Sequence, residues 1–274
     1  MKGGEYPMKL SVQLSGVSET MLIPMYARAI ESKKENPAFF DRYAIEMTEK
    51  LDYDFSKFDK GKMSLWGCAA RTIILDREVK AFIKEHPHCT CINLGCGLDT
   101  RFHRVDNGSI RWYNVDFQPI ADLRAQLLPV EQRETMISCS ALESGWINEI
   151  ARDGEVLIIM EGLIMYFSVD EIKALMGMIR DAFPDCTLLI ELLSSFTLKN
   201  QKQHDTINKT SAVFRWGVKE AKELEVLCPY GKLKGEWNYT PVMKRFSPFF
   251  ITLISPILTN ANNRIAKFEI SAAS

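Results

Sequence analysis

Residues 91–116, CINLGCGLDTRFHRVDNGSIRWYNVD, decide how this chain reads. A short apolar run, Cys91-Ile92-Asn93-Leu94, enters the glycine turn Gly95-Cys96-Gly97. A helix-compatible segment follows, and a second strand-like run, 110–115, ends at Asp116, 21 residues after Gly95. Glycine takes backbone angles closed to other residues, or lets a ligand come close to the main chain. The helix behind such a turn offers unpaired N–H groups to an anionic part of a ligand. A carboxylate at the end of the second strand can accept both ribose hydroxyls of a nucleotide cofactor. The pattern is that of a βαβ nucleotide site.

The turn discriminates between cofactors. A dinucleotide fingerprint reads G-x-G-x-x-G, its third glycine allowing close helix packing, and Thr100 stands in that third position. S-adenosylmethionine has no pyrophosphate to cradle; it needs room for a methionine tail, an acceptor for the ribose and a slot for adenine. The residues favour a methyltransferase. An NAD-dependent oxidoreductase and a nucleotide-like fold used for something else stay open as alternatives.

Outward from this stretch, 274 residues suffice for one large α/β domain with insertions. Formal charge is −1, from 34 basic and 35 acidic residues, which gives no electrostatic argument for nucleic acid or an anionic membrane. The seven cysteines are odd in number and scattered, several within core-like runs, so free thiols in a reducing compartment are expected. The four histidines form no H-E-x-x-H pattern, and no metal site is expected. No apolar run reaches the length of a membrane span, and no secretory leader pattern opens the chain. The expectation is a cytoplasmic protein with a small-molecule partner, no nucleic acid and no membrane, monomer or homodimer.

The chain is expected to form a single domain, 1–274. Helical periodicity over 15–31 carries Val17, Met21, Leu22, Met25, Tyr26, Ala29 and Ile30, with Ser18 as cap and Pro24 as a kink or restart. Further helices are expected over 39–51 and 65–86, so that 12–88 forms a helical cap. Strands are expected near 90–94, 111–115, 135–138, 155–160 and 186–192, making 89–193 the core. Runs such as Val156-Leu157-Ile158-Ile159-Met160 lack polar alternation, which suits parallel strands covered on both faces. A helix over 170–183 follows a Ser168 or Asp170 cap. From 194 to 240 the texture turns polar and reads as a lid insertion over the carboxyl edge. Residues 241–274 are expected to supply the last two strands, at 249–254 and 265–270. Alternation of strands and helices argues for an α/β, doubly wound sheet.

Four motifs now carry a resemblance. NLGCGLDTRF at 93–102, NVDF at 114–117, EGLIMYFS at 161–168 and FRWG at 214–217 resemble the leucine carboxyl methyltransferase superfamily. GVSETMLIPMYARA at 16–29 and ARTIILD at 70–76 resemble its bacterial small-molecule branch, named for the O-methyltransferase of tetracenomycin polyketide synthesis. The similarity spans about residues 12–270.

The resemblance implies a class I methyltransferase fold with a seven-stranded sheet, using S-adenosyl-L-methionine. It points to Arg71 for the carboxylate of the cofactor's methionine part and to Gly95 and Gly97 beside the methionine and sulfonium. It gives Asp116 the ribose, and places Glu161 near the cofactor and the substrate mouth. The segment that carries an acid near adenine in the family reads Cys139-Ser140-Ala141-Leu142 here, with Ser140 or Cys139 in the acid's place.

Each residue has a plainer reading too. Asp116 could cap a turn, Arg71 could pair on the surface with Asp76 or Glu78, and Asp99, also a candidate for a cofactor contact, could simply favour a helix start. Arg28 is a candidate for cofactor or substrate, Tyr166 and Phe167 for lining the pocket. Glu161, Tyr166 and His204 are weak catalytic candidates. A carboxylate acceptor is ionised at neutral pH and needs no general base, whereas a phenol or alcohol gains from one. No residue's spacing demands that role, which leans toward a carboxylate or an acidified phenol. The expected function is O-methylation of a small molecule. Alternatives are a protein C-terminal carboxyl methyltransferase, the NAD-dependent oxidoreductase and a non-catalytic binding module.

Overall fold

The computed structural model describes residues 9–11, 17–201 and 212–271, with the side chains of 17 and 18 left out. Two-residue strands β1 (Leu10–Ser11) and β2 (Leu51–Asp52) pair in parallel within the N-terminal region. The main sheet holds β3 (Thr90–Leu94), β4 (Arg111–Asp116), β5 (Glu134–Ser138), β6 (Val156–Met160), β7 (Cys186–Leu192), β8 (Gly231–Asn238) and β9 (Arg264–Ile270). Its order is β5-β4-β3-β6-β7-β9-β8. The first five strands named are parallel, and β9 runs antiparallel to both β7 and β8.

Apolar runs explain the central strands. Every residue of β3, β6 and β7 is buried, as expected of parallel strands with helices on both faces. One face packs Ile92, Leu94, Ile158, Met160, Leu188 and Ile190 against the 169–182 helix. The other packs Cys91, Leu157, Ile159 and Leu189 against the 62–85 helix. All seven cysteines are free, as their scatter suggested.

Register then does the work of assembly. Leu94 pairs with Val115 and with Met160, and Met160 pairs with Ile190. The next residues along, Gly95, Asp116, Glu161 and Glu191, therefore emerge at one level along the carboxyl edge. They flank the point where strand order reverses around β3, the crevice where open α/β sheets bind ligands.

Helix ends follow local chemistry. The N-terminal periodicity resolves into Val17–Thr20 and Leu22–Ser32, with Pro24 in the first turn of the second helix, where its missing N–H costs nothing. The side chain of Ser18, the expected cap, lies outside what is described. Asp41 caps Arg42–Lys50 by accepting from the Ala44 N–H. Ser168 starts Val169–Ala182 with a capping box: its hydroxyl accepts from the Glu171 N–H while the Glu171 carboxylate accepts from the Ser168 N–H.

One expectation fails. Residues 249–254 are not a strand: Phe250–Leu253 and Ser255–Ala261 are short helices. Pro248 and Pro256 explain this, since proline suits the opening of a helix and cannot donate within a sheet. The missing strand is β8, inside the stretch read as lid. Its alternating lysines, Lys232 and Lys234, and the irregularity between Leu233 and Gly235 are marks of an edge strand kept from pairing further. Part of the stretch expected to be lid, Gly231–Asn238, is therefore sheet.

Gly231 tests this edge. A Cβ there would lie 2.1 Å from Cε1 of Phe268, whose ring is fully buried and has nowhere to swing. Gly231→Ala is expected to cost about 1–3 kcal/mol through overpacking, read as a lowered urea midpoint. An unchanged midpoint would argue that β8 does not pack against β9 as described.

Candidate active site

Above the carboxyl edge lies a cavity of about 760 Å³, within the usual range for small-molecule sites. The glycine turn forms its floor. Gly95 and Gly97 hold φ of +64° and +49°, a region open to glycine and strained for other residues. Space enforces the same choice. A Cβ on Gly95 would come 2.7 Å from Leu163 Cδ1, and one on Gly97 3.1 Å from Met21 Cβ. Asp116 closes the turn: its Oδ2 accepts from the Gly97 N–H at 2.8 Å and its Oδ1 from the Phe117 N–H at 2.8 Å. Each carboxylate oxygen keeps a further lone pair. Burial pushes the Asp116 carboxyl above its ordinary value, only partly offset by those two N–H groups.

Arg71 reaches the cavity from the middle of the 62–85 helix. Its partners are not the nearby Asp76 or Glu78. Nη2 meets Glu161 Oε1 at 2.6 Å and Nη1 meets Glu191 Oε2 at 2.6 Å. Glu161 is shared, its Oε2 accepting from Arg101 Nη2 at 2.6 Å. Arg101 also holds Asp99 and Asp76. Burial alone would raise the Glu161 carboxyl, but Arg71 and then Arg101 outweigh it and hold it below the usual range. Asp99 is likewise held low against burial by Arg101 and Arg104.

The structure gathers nearly every candidate around this one cavity. Arg28, Arg71, Gly95, Gly97, Asp99, Asp116, Ser140, Ala141, Leu142, Glu161, Tyr166 and Phe167 all line it. Their engagement differs. Asp99 is occupied by Asn93 and the Arg101 side chain and backbone. Arg28 spends its guanidinium on Asp41 and on the Leu98 carbonyl, bracing the segment after the glycine turn. Ser140 accepts from the Leu142 N–H. The Tyr166 hydroxyl donates to Thr20 at 3.3 Å, and burial pushes its pKa up to about 12. His204 lies outside the described residues.

Sequence reading missed Glu191. It accepts from Arg71, the Gly162 N–H and Asn263, and it lines the cavity. The signal was present: one acidic residue at the end of the apolar run Cys186-Thr187-Leu188-Leu189-Ile190. Among the described residues no cluster of three metal-ligating side chains occurs.

These residues fit S-adenosylmethionine on their own chemistry. At Gly95 and Gly97 the turn carries no side chain to keep the cofactor from the main chain. Asp116 retains acceptor capacity for a ribose. The alternating charges of Arg71, Glu161 and Glu191 complement a zwitterionic amino-acid tail.

Solved structures place the fold among methyltransferases. A Thermobifida fusca YX protein assigned as a methyltransferase aligns with TM-score 0.62 at 17% identity, covering 90% of this chain and 94% of its own. A DUF574 family protein from Streptomyces avermitilis MA-4680 aligns with TM-score 0.60 at 11% identity, covering 92% and 97%. The fold is that of a class I S-adenosylmethionine-dependent methyltransferase. The leucine carboxyl methyltransferase family model matches residues 21–180, more than half of the 274, and the chain belongs to that family. It is 27% identical over 229 residues to the tetracenomycin polyketide synthesis O-methyltransferase TcmP of Streptomyces glaucescens, covering 83% of this chain and 85% of that one. It is 28% identical over 243 residues to the S-adenosyl-L-methionine-dependent methyltransferase dpfgK of Gibberella zeae, covering 81% and 82%. The oxidoreductase alternative falls with this membership.

Two outcomes follow from the geometry. Arg101→Met leaves Asp76, Asp99 and Glu161 short of a buried partner, and should cost about 3–5 kcal/mol in urea unfolding. A loss under about 1 kcal/mol would mean the network is dispensable for stability. Asp116 titrates above a free aspartate, so its carboxylate is lost earlier as pH falls. Affinity for S-adenosylhomocysteine, followed by calorimetry from neutral pH down to about pH 4, should therefore weaken toward acid. Asp116→Asn should bind more weakly at neutral pH and flatten that profile; an acid limb unchanged in the variant would remove Asp116 from the site.

Proposed function

We propose that this protein is an O-methyltransferase that moves the methyl group of S-adenosylmethionine to a carboxylate or phenolic oxygen of a small molecule. The observation that carries the reading is the cavity itself. Beyond the charged floor its wall is mostly apolar, with Ile23, Pro24, Met63, Met165, Phe214 and Leu258 contributed by elements on every side. A wall of this composition suits a compact, largely apolar acceptor. The Streptomyces relative, an O-methyltransferase of polyketide synthesis, supports the same choice.

In this reading Arg71 binds the carboxylate of the methionine part, and Glu161 with Glu191 takes its ammonium. Asp116 receives the ribose hydroxyls. Cys139, Ser140, Ala141 and Leu142 border the adenine. Cofactor sulfonium chemistry supplies an already activated methyl group. What remains for the protein is alignment, an effect worth up to roughly 7–11 kcal/mol in ideal cases. Tyr166 and Phe214, with ring centroids 5.5 Å apart, form the face against which a flat acceptor packs.

Proton removal is where the acceptor type is decided. Glu161 and Asp99 are held ionised by arginines and are poor bases. Tyr166 is held protonated at neutral pH. None of the three described histidines borders the cavity. A carboxylate, or a phenol acidified by its own ring system, suits a site furnished this way.

The test is transfer from methyl-labelled cofactor to aromatic carboxylic acids, phenols and a leucine-terminated peptide. Label in the aromatic acceptors is expected, released by mild alkali if the product is an ester and retained if it is an aryl ether. Labelling of the peptide alone would overturn the small-molecule reading.

A further inference from the structure

Among the described residues, five carboxylates line the cavity, Asp99, Asp116, Glu161, Glu171 and Glu191, against three cations, all arginines. Two of the arginines are committed inside the fold. Arg28 is buried and held by Asp41 and the Leu98 carbonyl. Arg71 is buried between Glu161 and Glu191. Arg215 is different. Its side chain is 51% exposed, and among the described residues only Nη1 has a partner, Glu171 Oε2 at 2.8 Å. A guanidinium carries five N–H donors in a flat fork, so those on Nε and Nη2 remain for a ligand.

The main chain that carries Arg215 is fixed on both sides. The N–H groups of Arg215 and Trp216 donate to the Met165 carbonyl at 2.8 and 3.2 Å. Phe214 exchanges two hydrogen bonds with the Gln201 side chain, giving its N–H to Oε1 at 2.9 Å and accepting from Nε2 on its carbonyl at 3.2 Å. Phe214 and Trp216 are buried, and the arginine between them turns outward beside the Tyr166–Phe214 aromatic pair. Its partner can release it. Glu171 Oε2 also accepts from the Ser168 N–H and hydroxyl. Those two groups, ahead of Arg215, hold the Glu171 carboxyl below its ordinary value. Glu171 therefore stays ionised and bonded when Arg215 turns to another anion, and an exposed pair in water gains little from its own attraction.

We propose that Arg215 receives a carboxylate of the acceptor, at the outer end of the cavity and away from the oxygen that is methylated, which makes the substrate a flat hydroxy-aryl carboxylic acid. Such an acceptor presupposes the O-methyltransferase reading above and narrows it. An anion entering a cavity lined by five carboxylates is repelled unless a cation meets it. Arg71 is taken in that reading by the cofactor's own carboxylate. The methyl group then sits over the charged floor, where Arg71, Glu161 and Glu191 are nearly sealed from solvent, while Arg215 stands at the solvent edge. An acceptor that bridges the two has a carboxylate that stays charged at one end and a hydroxyl at the other. There the oxygen bonds to the methyl carbon as the carbon–sulfur bond breaks. That bond's electron pair stays on sulfur, and the phenolic proton passes to solvent.

The probes are 6-hydroxy-2-naphthoate and its methyl ester, closely matched in shape and different in charge. Calorimetry on the full chain saturated with S-adenosylhomocysteine is expected to show the acid binding at least about tenfold more tightly than the ester, as a charge-assisted hydrogen bond predicts. Arg215→Met should bring that ratio to about one by weakening the acid alone, and Arg215→Lys should recover part of it. Glu171→Gln removes the competing anion and keeps the helix cap, since glutamine also closes a capping box. The acid should bind this variant as tightly as wild type, or more tightly. If the ion pair only braces the segment, both Arg215→Met and Glu171→Gln weaken acid and ester alike, which overturns the proposal. Equal affinity of wild type for acid and ester, or binding of neither, overturns it too, as does methyl transfer to the carboxylate, read as an alkali-labile ester. Failure of S-adenosylhomocysteine to bind is a separate result: it removes the cofactor reading, and this acceptor with it.

Discussion

Arg28, Asp41, Arg104, Asp76, Arg101, Glu161, Arg71 and Glu191 form one buried chain of alternating charge, each linked to the next at 2.6–2.8 Å. It begins in the N-terminal helical region, passes through the 62–85 helix and the 101–105 helix, and ends on the carboxyl tips of β6 and β7. Taking such groups out of water is costly, and their attraction repays the cost only if every member is paired. The N-terminal helices therefore have one good seat on the sheet, the one that closes the chain. That seat forms the cavity roof.

The consequence for chemistry is rigidity of charge. An all-apolar replacement of buried ion pairs can match them in stability. It would leave no fixed pattern to orient a zwitterion. Methyl transfer from a sulfonium needs placement more than proton traffic, and placement is lost over about an ångström. Arg71 illustrates the point. A free arginine has many rotamers, whereas this one is held by carboxylates on two neighbouring strands whose register is fixed by the Met160–Ile190 pair. Strand pairing thus sets the position of a guanidinium borne by a helix.

Much of this was legible in the chain, and the reasons differ by element. The buried strands announced themselves as uninterrupted apolar runs, and Gly95, Gly97 and Asp116 stood at a spacing that a βαβ unit dictates. Boundaries fell within a few residues wherever a cap residue such as Ser168 was present. Residues 249–254 misled because aromatic and β-branched content is a packing preference, not a backbone one, and two prolines had more say. β8 was hidden for the opposite reason: an edge strand alternates lysine with small and apolar residues and reads as loop. The ion chain was invisible because its partners lie far apart in sequence, Arg71 and Glu191 by 120 positions and Arg101 and Glu161 by 60. Only a solitary acid closing an apolar run, Glu191, left a trace.

The topology explains why cavity wall and sheet come from the same segment. After β7 the chain must leave the carboxyl edge, yet the next sheet position belongs to β9, which is later in sequence and antiparallel. On the way, Thr197, Phe214 and Arg215 line the cavity. The chain then forms β8 at the outer edge, and returns through the 255–261 helix before β9 pairs back in. Lining of one cavity from both sides of β8 in sequence follows from inserting β9 between β7 and β8. The return brings Leu258 and Ala261 to the cavity wall, and a short helix with one face inward must turn its other face out. The exposed Phe249, Leu253 and Ile257 are thus not demanded by the fold: polar residues would serve that outer face equally well in water. Their presence is a choice of the sequence, laid over a geometry that the sheet order imposes.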